Sequence, residues 1–217
     1  MSAGRATLSD APDIPPDVRK AFGTTPDREA DIEVFRRMLC EANLHANLVG
    51  AASLGAFWRR HYLDSAQLLA YAPHALTWAD LGSGAGLPGV VLAILLKDRA
   101  AARVHLVESR AKRCQFLTEV VNRLRIPAVV HHGRCETIRL EVDVVTARAC
   151  APLDRLLTLA KPYVDLGAEA LFLKGRGAGE EIREAAKSWR FGAKTFPSLS
   201  DPRGRVVKIS DLCRGAR

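Results

Sequence analysis

One run of residues, Trp78-Ala79-Asp80-Leu81-Gly82-Ser83-Gly84-Ala85-Gly86-Leu87-Pro88-Gly89, constrains this chain more than any other. An apolar stretch reaches an acid and turns through glycine at every second position. It then enters Val90-Val91-Leu92-Ala93-Ile94-Leu95-Leu96. The pattern predicts a strand, a tight loop and a buried helix. Without a Cβ, glycine lets backbone take positive φ and approach a ligand closely. The first-turn N–H groups of the helix are left without intrahelical partners and face whatever lies there. An adenosine-containing cofactor is the natural occupant.

Two cofactor classes compete for such a loop. Gly84 to Gly89 satisfies the dinucleotide pattern G-x-G-x-x-G, and Glu108 follows Gly89 by 19 residues, near the position of a ribose-binding acid. Asp80 favours a different ligand. A carboxylate at the strand end repels a pyrophosphate but suits S-adenosylmethionine, which carries a sulfonium and an α-ammonium. Asp-x-Gly-x-Gly-x-Gly resembles motif I of the class I methyltransferases. A dinucleotide, or a structural turn with no ligand, remains the alternative.

The charge balance extends the reading. A net charge of +8 and a pI near 9.6 suit a polyanionic partner, with ordinary solubility charge an equal alternative on charge alone. The longest apolar stretch, Val90 to Leu96, is far short of a membrane span, and no signal segment opens the chain. The five cysteines are scattered without Cys-x-x-Cys spacing, so they read as reduced thiols, with zinc or any other metal not expected. These features predict a cytoplasmic enzyme with no membrane contact.

Hydrophobic periodicity places helices over 29–47 and 54–71, strand 77–81, helix 87–97, strand 103–108 and helix 110–125. Strands 127–132 and 142–147, helix 152–163, strand 169–174, helix 178–189 and strand 205–209 follow. Strands alternating with helices imply an α/β fold, a Rossmann-like parallel sheet with helices on both faces. Residues 1–26, rich in Ala, Pro and Asp, read as a flexible arm, 27–75 as an N-terminal helical cap, and 76–217 as the core.

In a doubly wound sheet the ligand lies beyond the carboxyl ends of the strands. Asp80, Gly82, Ser83, Gly84 and Leu87 belong to the loop itself. Glu108 ends the second strand and suits the ribose hydroxyls, with a plain helix-start acid as the alternative. Cys135 and Glu136, after the third strand, fall near an adenine edge or on a surface turn. Arg148, among small residues after the fourth strand, suits a ligand's carboxylate or phosphate, with a structural pair to a protein carboxylate as the alternative. His61 and Asp64 interrupt an apolar helical stripe three residues apart. They form either a satisfied His–Asp pair in the core or part of the cleft wall. Arg59, Arg60, Lys112, Arg113, Lys174 and Arg176 are the cations placed to meet RNA phosphate, with solvated surface charge as the alternative.

Several segments in the same order resemble the bacterial small-subunit ribosomal RNA methyltransferase G family, also known as glucose-inhibited division protein B. They are Asn47-Leu48-Val49, Arg60-His61-Tyr62-Leu63-Asp64-Ser65, the Asp80–Gly89 loop, Val107-Glu108-Ser109 with Lys112-Arg113, Arg148-Ala149 and Leu173-Lys174-Gly175. The resemblance covers about residues 30 to 210. It implies a class I S-adenosylmethionine-dependent methyltransferase fold whose seven-stranded sheet ends in an antiparallel strand. The implied reaction is methylation of N7 of guanine 527, in the 530 loop of 16S rRNA. The substrate is expected within the 30S subunit, with naked rRNA or an assembly intermediate as alternatives, and nothing in the sequence demands more than a monomer. The family's cofactor contacts fall on Gly82, Leu87, Cys135, Glu136 and Arg148. Val49 and Cys150 stand where family members commonly carry threonine and phenylalanine. Guanine N7 presents an in-plane lone pair and no proton, so the implied chemistry needs no general base. His61, Asp64 and Arg148 are therefore expected to shape the pocket only. Activity on another RNA, a protein or a small molecule, an NAD(P)-dependent oxidoreductase, and a non-catalytic RNA-binding module are the competing readings.

Overall fold

The computed structural model describes residues 14–22 and 24–215. Four helical pieces open it: α1 (Pro16–Phe22), α2 (Pro26–Ala46), α3 (Ala51–Leu54) and a π-helical turn (Trp58–Leu63). This turn continues into α4 (Asp64–Ala66) and α5 (Leu68–Tyr71). The core then alternates β1 (Thr77–Leu81), α6 (Gly89–Leu95), β2 (Arg103–Glu108), α7 (Ala111–Leu124), β3 (Ala128–His132), β4 (Val144–Arg148), α8 (Leu153–Val164), β5 (Glu169–Lys174), α9 (Ala178–Ala185), β6 (Trp189–Pro197) and β7 (Arg205–Arg214). The strands form one seven-stranded sheet in the order β3-β2-β1-β4-β5-β7-β6. β1 to β5 pair in parallel, while β7 runs antiparallel to both β5 and β6.

Two apolar layers sandwich this sheet. One joins the cap, α6 and α7 to Trp78, Val104 and Leu106. The other packs α8 and α9 on Ala79, Val145 and Phe172. Every residue of α6 is buried, as an all-apolar helix requires. The order of the sheet reverses between β1 and β4, and the crevice at such a switch point is where open α/β sheets bind ligands.

Three expectations change. The helix read over 54–71 is interrupted: its middle widens into the π-helical turn, with Phe57, Trp58 and Tyr62 stacked edge to face and Ser65 Oγ donating to the His61 carbonyl at 2.7 Å. Wide turns of this kind recur at functional sites. Residues 14–22 are not a loose arm. Val18 is fully buried with Ile14 in the cap's core, and Asp17 pairs with Arg59 at 2.7 Å; residues 1–13 lie outside the described residues. The helix read to 189 stops at Ala185, and 189–197 is the edge strand β6. That strand is exposed along most of its length, so its sequence lacks the alternation that marks a half-buried strand. No helix among the described residues is long and apolar enough to cross a membrane.

Candidate active site

A cavity of about 790 Å³ opens at the carboxyl ends of β1, β4 and β5. Gly82, Ser83, Gly84, Ala85 and Leu87 line it after β1, Arg113 from α7, and Arg148 and Ala149 after β4. Leu173 to Gly175 contribute from the end of β5, and the cap adds Leu48, Val49, Gly50, Ser53, Arg60, His61 and Asp64. Ser200, Asp201 and Gly204, from the β6–β7 loop, complete the wall.

Local chemistry builds the glycine loop. Gly82 and Gly84 take φ of 69° and 56°, a region that strains a residue with a Cβ. At Gly82 an added Cβ would also stand 2.6 Å from Cys150 Sγ. Ser83 N donates to the Val107 carbonyl at 3.0 Å and Ser83 Oγ to the Asp80 carbonyl at 2.9 Å, tying the loop to two strand ends.

Asp80 is not the rim carboxylate that its position suggests. It is fully buried beneath the loop, where Oδ2 accepts from Gly89 N at 3.0 Å at the start of α6 and Oδ1 has no partner. Burial pushes its pKa up to about 7, against the lowering effect of the Gly89 N–H. The electrostatic reason for preferring a sulfonium ligand therefore does not act through direct contact with this side chain. Its orientation is set by the N–H at the start of α6, because a carboxylate under a loop bonds the nearest free donor.

Glu108 also turns to backbone. Its oxygens accept from Gly84 N at 3.0 Å and from Ser109 N and Arg110 N at 2.8 Å each, and Arg113 stands 3.8 Å away. It braces the loop from behind and is not among the side chains that line the cavity. Cys135 is buried behind the loop, its thiol pushed up to about 11 by burial with the Gly82 backbone beside it. Glu136 pairs with Arg155 and Arg134 on the surface, away from the cavity wall.

Arg148 is the centre of the polar wall. Nη1 donates to the Arg60 carbonyl at 2.9 Å and faces Asp64 Oδ2 at 3.3 Å, while Nη2 donates to His61 Nδ1 at 3.1 Å. Because a guanidinium only donates, His61 Nδ1 must accept and the ring proton sits on Nε2. Nε2 is 3.0 Å from Ser53 Oγ, which donates onward to the Gly50 carbonyl at 2.6 Å. Burial, then the charge of Arg148, brings the His61 pKa down to about 3. His61 is thus a neutral acceptor. It makes no hydrogen bond with Asp64; the arginine stands between them.

The six cations read as RNA contacts separate. Arg60, Arg113 and Lys174 line the cavity, whereas Lys112 and Arg176 are exposed and do not line it. Arg59 is engaged by Asp17. Lys174 is withdrawn from solvent: its side chain is 9% exposed, with Nζ 2.6 Å from Glu181 and 3.0 Å from the Ala151 carbonyl. It pins α9 to the loop after β4 and does not present a charge to a phosphate. Ser53 and Ser200 line the cavity and buried Gln67 supports it through Asp64, all without any sequence signal; nothing in 198–204 distinguishes it from an ordinary hairpin loop.

This switch-point cavity, with a glycine loop after β1 and an arginine after β4 on a sheet ending in an antiparallel pair, defines a class I methyltransferase of Rossmann-like architecture. Solved structures agree on the fold: an SAH-bound methyltransferase from Podospora anserina superposes with a TM-score of 0.60 at 13% identity, covering 89% of this chain and 92% of the other. Over residues 28–205 the chain matches the rRNA small subunit methyltransferase G family, and it belongs to that family. A ribosomal RNA small subunit methyltransferase G of Caulobacter vibrioides (strain NA1000 / CB15N) is 53% identical over 192 residues, covering 88% of this chain and 89% of the relative. One from Caulobacter sp. (strain K31) is 52% identical over 197 residues, with 91% and 89% covered.

Proposed function

We propose that this protein transfers a methyl group from S-adenosylmethionine to N7 of guanine 527 in the 530 loop of 16S rRNA, acting as a cytoplasmic monomer on RNA within the 30S subunit. The reading is carried by one juxtaposition: Gly82 and Leu87 after β1 and Arg148 at the end of β4, distant in sequence, meet on the wall of one cavity. Its volume lies within the range of small-molecule sites, about 300–1,000 Å³. A cradle of positive-φ glycines and a partly buried arginine fit a zwitterionic nucleoside cofactor. S-adenosylmethionine, when bound, supplies an electrophilic methyl on its sulfonium sulfur.

The chain's own residues bind, orient and exclude water. The Gly82–Gly84 backbone, Ser83 and Leu87 line the cavity and would hold the cofactor there. Arg148 would offer positive charge to its carboxylate, and Arg113 adds positive charge at the same wall. Asp80, Glu108 and Cys135 act from beneath by holding the loop. No side chain needs to move a proton, since guanine N7 carries none, and a His61 that stays neutral and hydrogen-bonded on both nitrogens agrees with that. Alignment of the reacting atoms can contribute on the order of 7–11 kcal/mol. Arg60 on the cavity wall and the exposed Lys112 and Arg176 suit RNA phosphates.

The decisive experiment maps tritium from labelled S-adenosylmethionine onto 16S rRNA in 30S particles from cells lacking the modification. Label at a single guanine, cleavable as 7-methylguanosine by borohydride and aniline, is the expected result. Label elsewhere, or none despite calorimetric binding of the cofactor, overturns the substrate assignment.

A further inference from the structure

Asp64 divides its carboxylate between two parts of the site. Oδ2 faces Arg148 at 3.3 Å. Oδ1 accepts from Ser200 Oγ at 2.6 Å and Gln67 Nε2 at 3.1 Å, with Ser198 Oγ at 3.4 Å. Ser198 and Ser200 belong to the loop joining β6 and β7, and buried Gln67 grips the same loop by accepting from Leu199 N at 2.9 Å. The loop closes on itself, Ser198 N donating to the Gly204 carbonyl at 3.1 Å and Gly204 N to the Asp201 carbonyl at 2.8 Å. It is therefore a compact piece fastened to the cap chiefly through the side chains of Asp64 and Gln67.

The loop stands well away from the glycine loop. β7 is three strands from β1 in the sheet order, roughly 14 Å at a spacing of about 4.8 Å per strand. Ser200, Asp201 and Gly204 thus wall the part of the cavity that a cofactor on Gly82–Leu87 leaves open.

We propose that Asp64 is a positioning residue that sets both ends of the site: through Arg148 it orients the cofactor-binding guanidinium, and through Ser200 it holds the β6–β7 loop as the wall against which the target guanine is placed. The inference rests on the methyltransferase reading above. An ionised carboxylate suits this role because it only accepts and offers two oxygens with lone pairs to spare, whereas the groups it must hold are all donors.

Three variants separate the two functions. In Asp64→Asn the amide keeps an acceptor for Ser200 and turns N–H toward Arg148, donor against donor. Loss of a charge-assisted hydrogen bond corresponds to about tenfold or more in affinity. The calorimetric Kd for S-adenosylhomocysteine is expected to rise about tenfold. Ser200→Ala releases the loop and spares Arg148: kcat/KM on unmethylated 30S subunits is expected to fall about three- to tenfold with the S-adenosylhomocysteine Kd within twofold of wild type. Asp64→Ala should move both quantities. Thermal melting checks each variant, and if Asp64→Ala does not fold, the other two decide the matter. A Kd unchanged or tightened in Asp64→Asn, or a Kd altered in Ser200→Ala as much as its kcat/KM, overturns the proposal. A wild-type protein that neither binds S-adenosylhomocysteine nor methylates 30S subunits would instead remove the methyltransferase reading itself.

Discussion

Replacing Gly89 by alanine tests how tightly the loop and α6 are seated on the sheet. A Cβ there would stand 2.3 Å from Leu106 Cδ2, 2.7 Å from Asp80 Oδ2 and 3.0 Å from Asp80 Cβ. Carbon pairs settle at about 3.5–4.0 Å, so Leu106 would have to retreat by more than about 1 Å. It cannot do so freely, being fully buried in β2 between layers of packed side chains. Overpacking of this kind costs about 1–3 kcal/mol. Displacing Asp80 also breaks its bond from Gly89 N and leaves both carboxylate oxygens unpaired, a loss of about 1.5–3 kcal/mol. Alanine's better helix propensity returns at most about 1 kcal/mol, leaving a net destabilisation of about 1.5–5 kcal/mol. For a domain of this size that lowers Tm by roughly 3–20 °C, read by circular dichroism melting. Gly175→Ala is the control: a Cβ there meets nothing within 4 Å, and its effect should stay within about 0.5 kcal/mol. A Gly89→Ala protein melting within about 2 °C of wild type would refute the close packing of Gly89 on Asp80 and Leu106.

Other consequences follow from the buried polar groups. Asp80, with its folded pKa near 7 against a usual value of 3.8, is uncharged more readily folded than unfolded. Folding therefore carries a penalty that is fully present above pH 7 and fades as pH falls toward 4. The Tm of Asp80→Asn relative to wild type should accordingly rise between pH 5 and pH 9, and a flat difference would contradict it. His61 runs the other way: its lowered pKa means stability present above about pH 6.5 and lost as pH falls toward 3. Its imidazole resonances in an NMR titration should show no midpoint between pH 5 and 8, where an ordinary histidine titrates. Lys174→Met should lower the denaturant midpoint by an amount equivalent to about 1–3 kcal/mol while leaving the salt slope of rRNA binding unchanged; a reduced slope would return Lys174 to the RNA surface.

Local patterns were sufficient for much of this protein. The Asp80–Gly89 run predicts a strand, a positive-φ turn and a buried helix because those states depend on neighbouring residues: side-chain period, missing Cβ atoms and an all-apolar helix. The same locality explains why β1, β2, β5 and α7 match their sequence patterns closely, and why β6, an exposed edge strand without alternation, did not stand out. The resemblance to the methyltransferase G family rested on motifs of the same local kind, and the family match over residues 28–205 agrees with it.

Where each side chain points was decided only by the tertiary structure. Asp80 turns beneath α6 and Glu108 into the loop backbone, because the closest unpaired N–H groups lie there. Lys174 finds Glu181, seven residues on, once α9 packs against the end of β5. Arg148 meets Arg60, His61 and Asp64 across more than 80 residues of chain, and Asp64 meets Ser200 across 136. Such partnerships have no period or spacing in the sequence, since they arise where the cap and the β6–β7 loop meet beyond the carboxyl ends of the parallel strands.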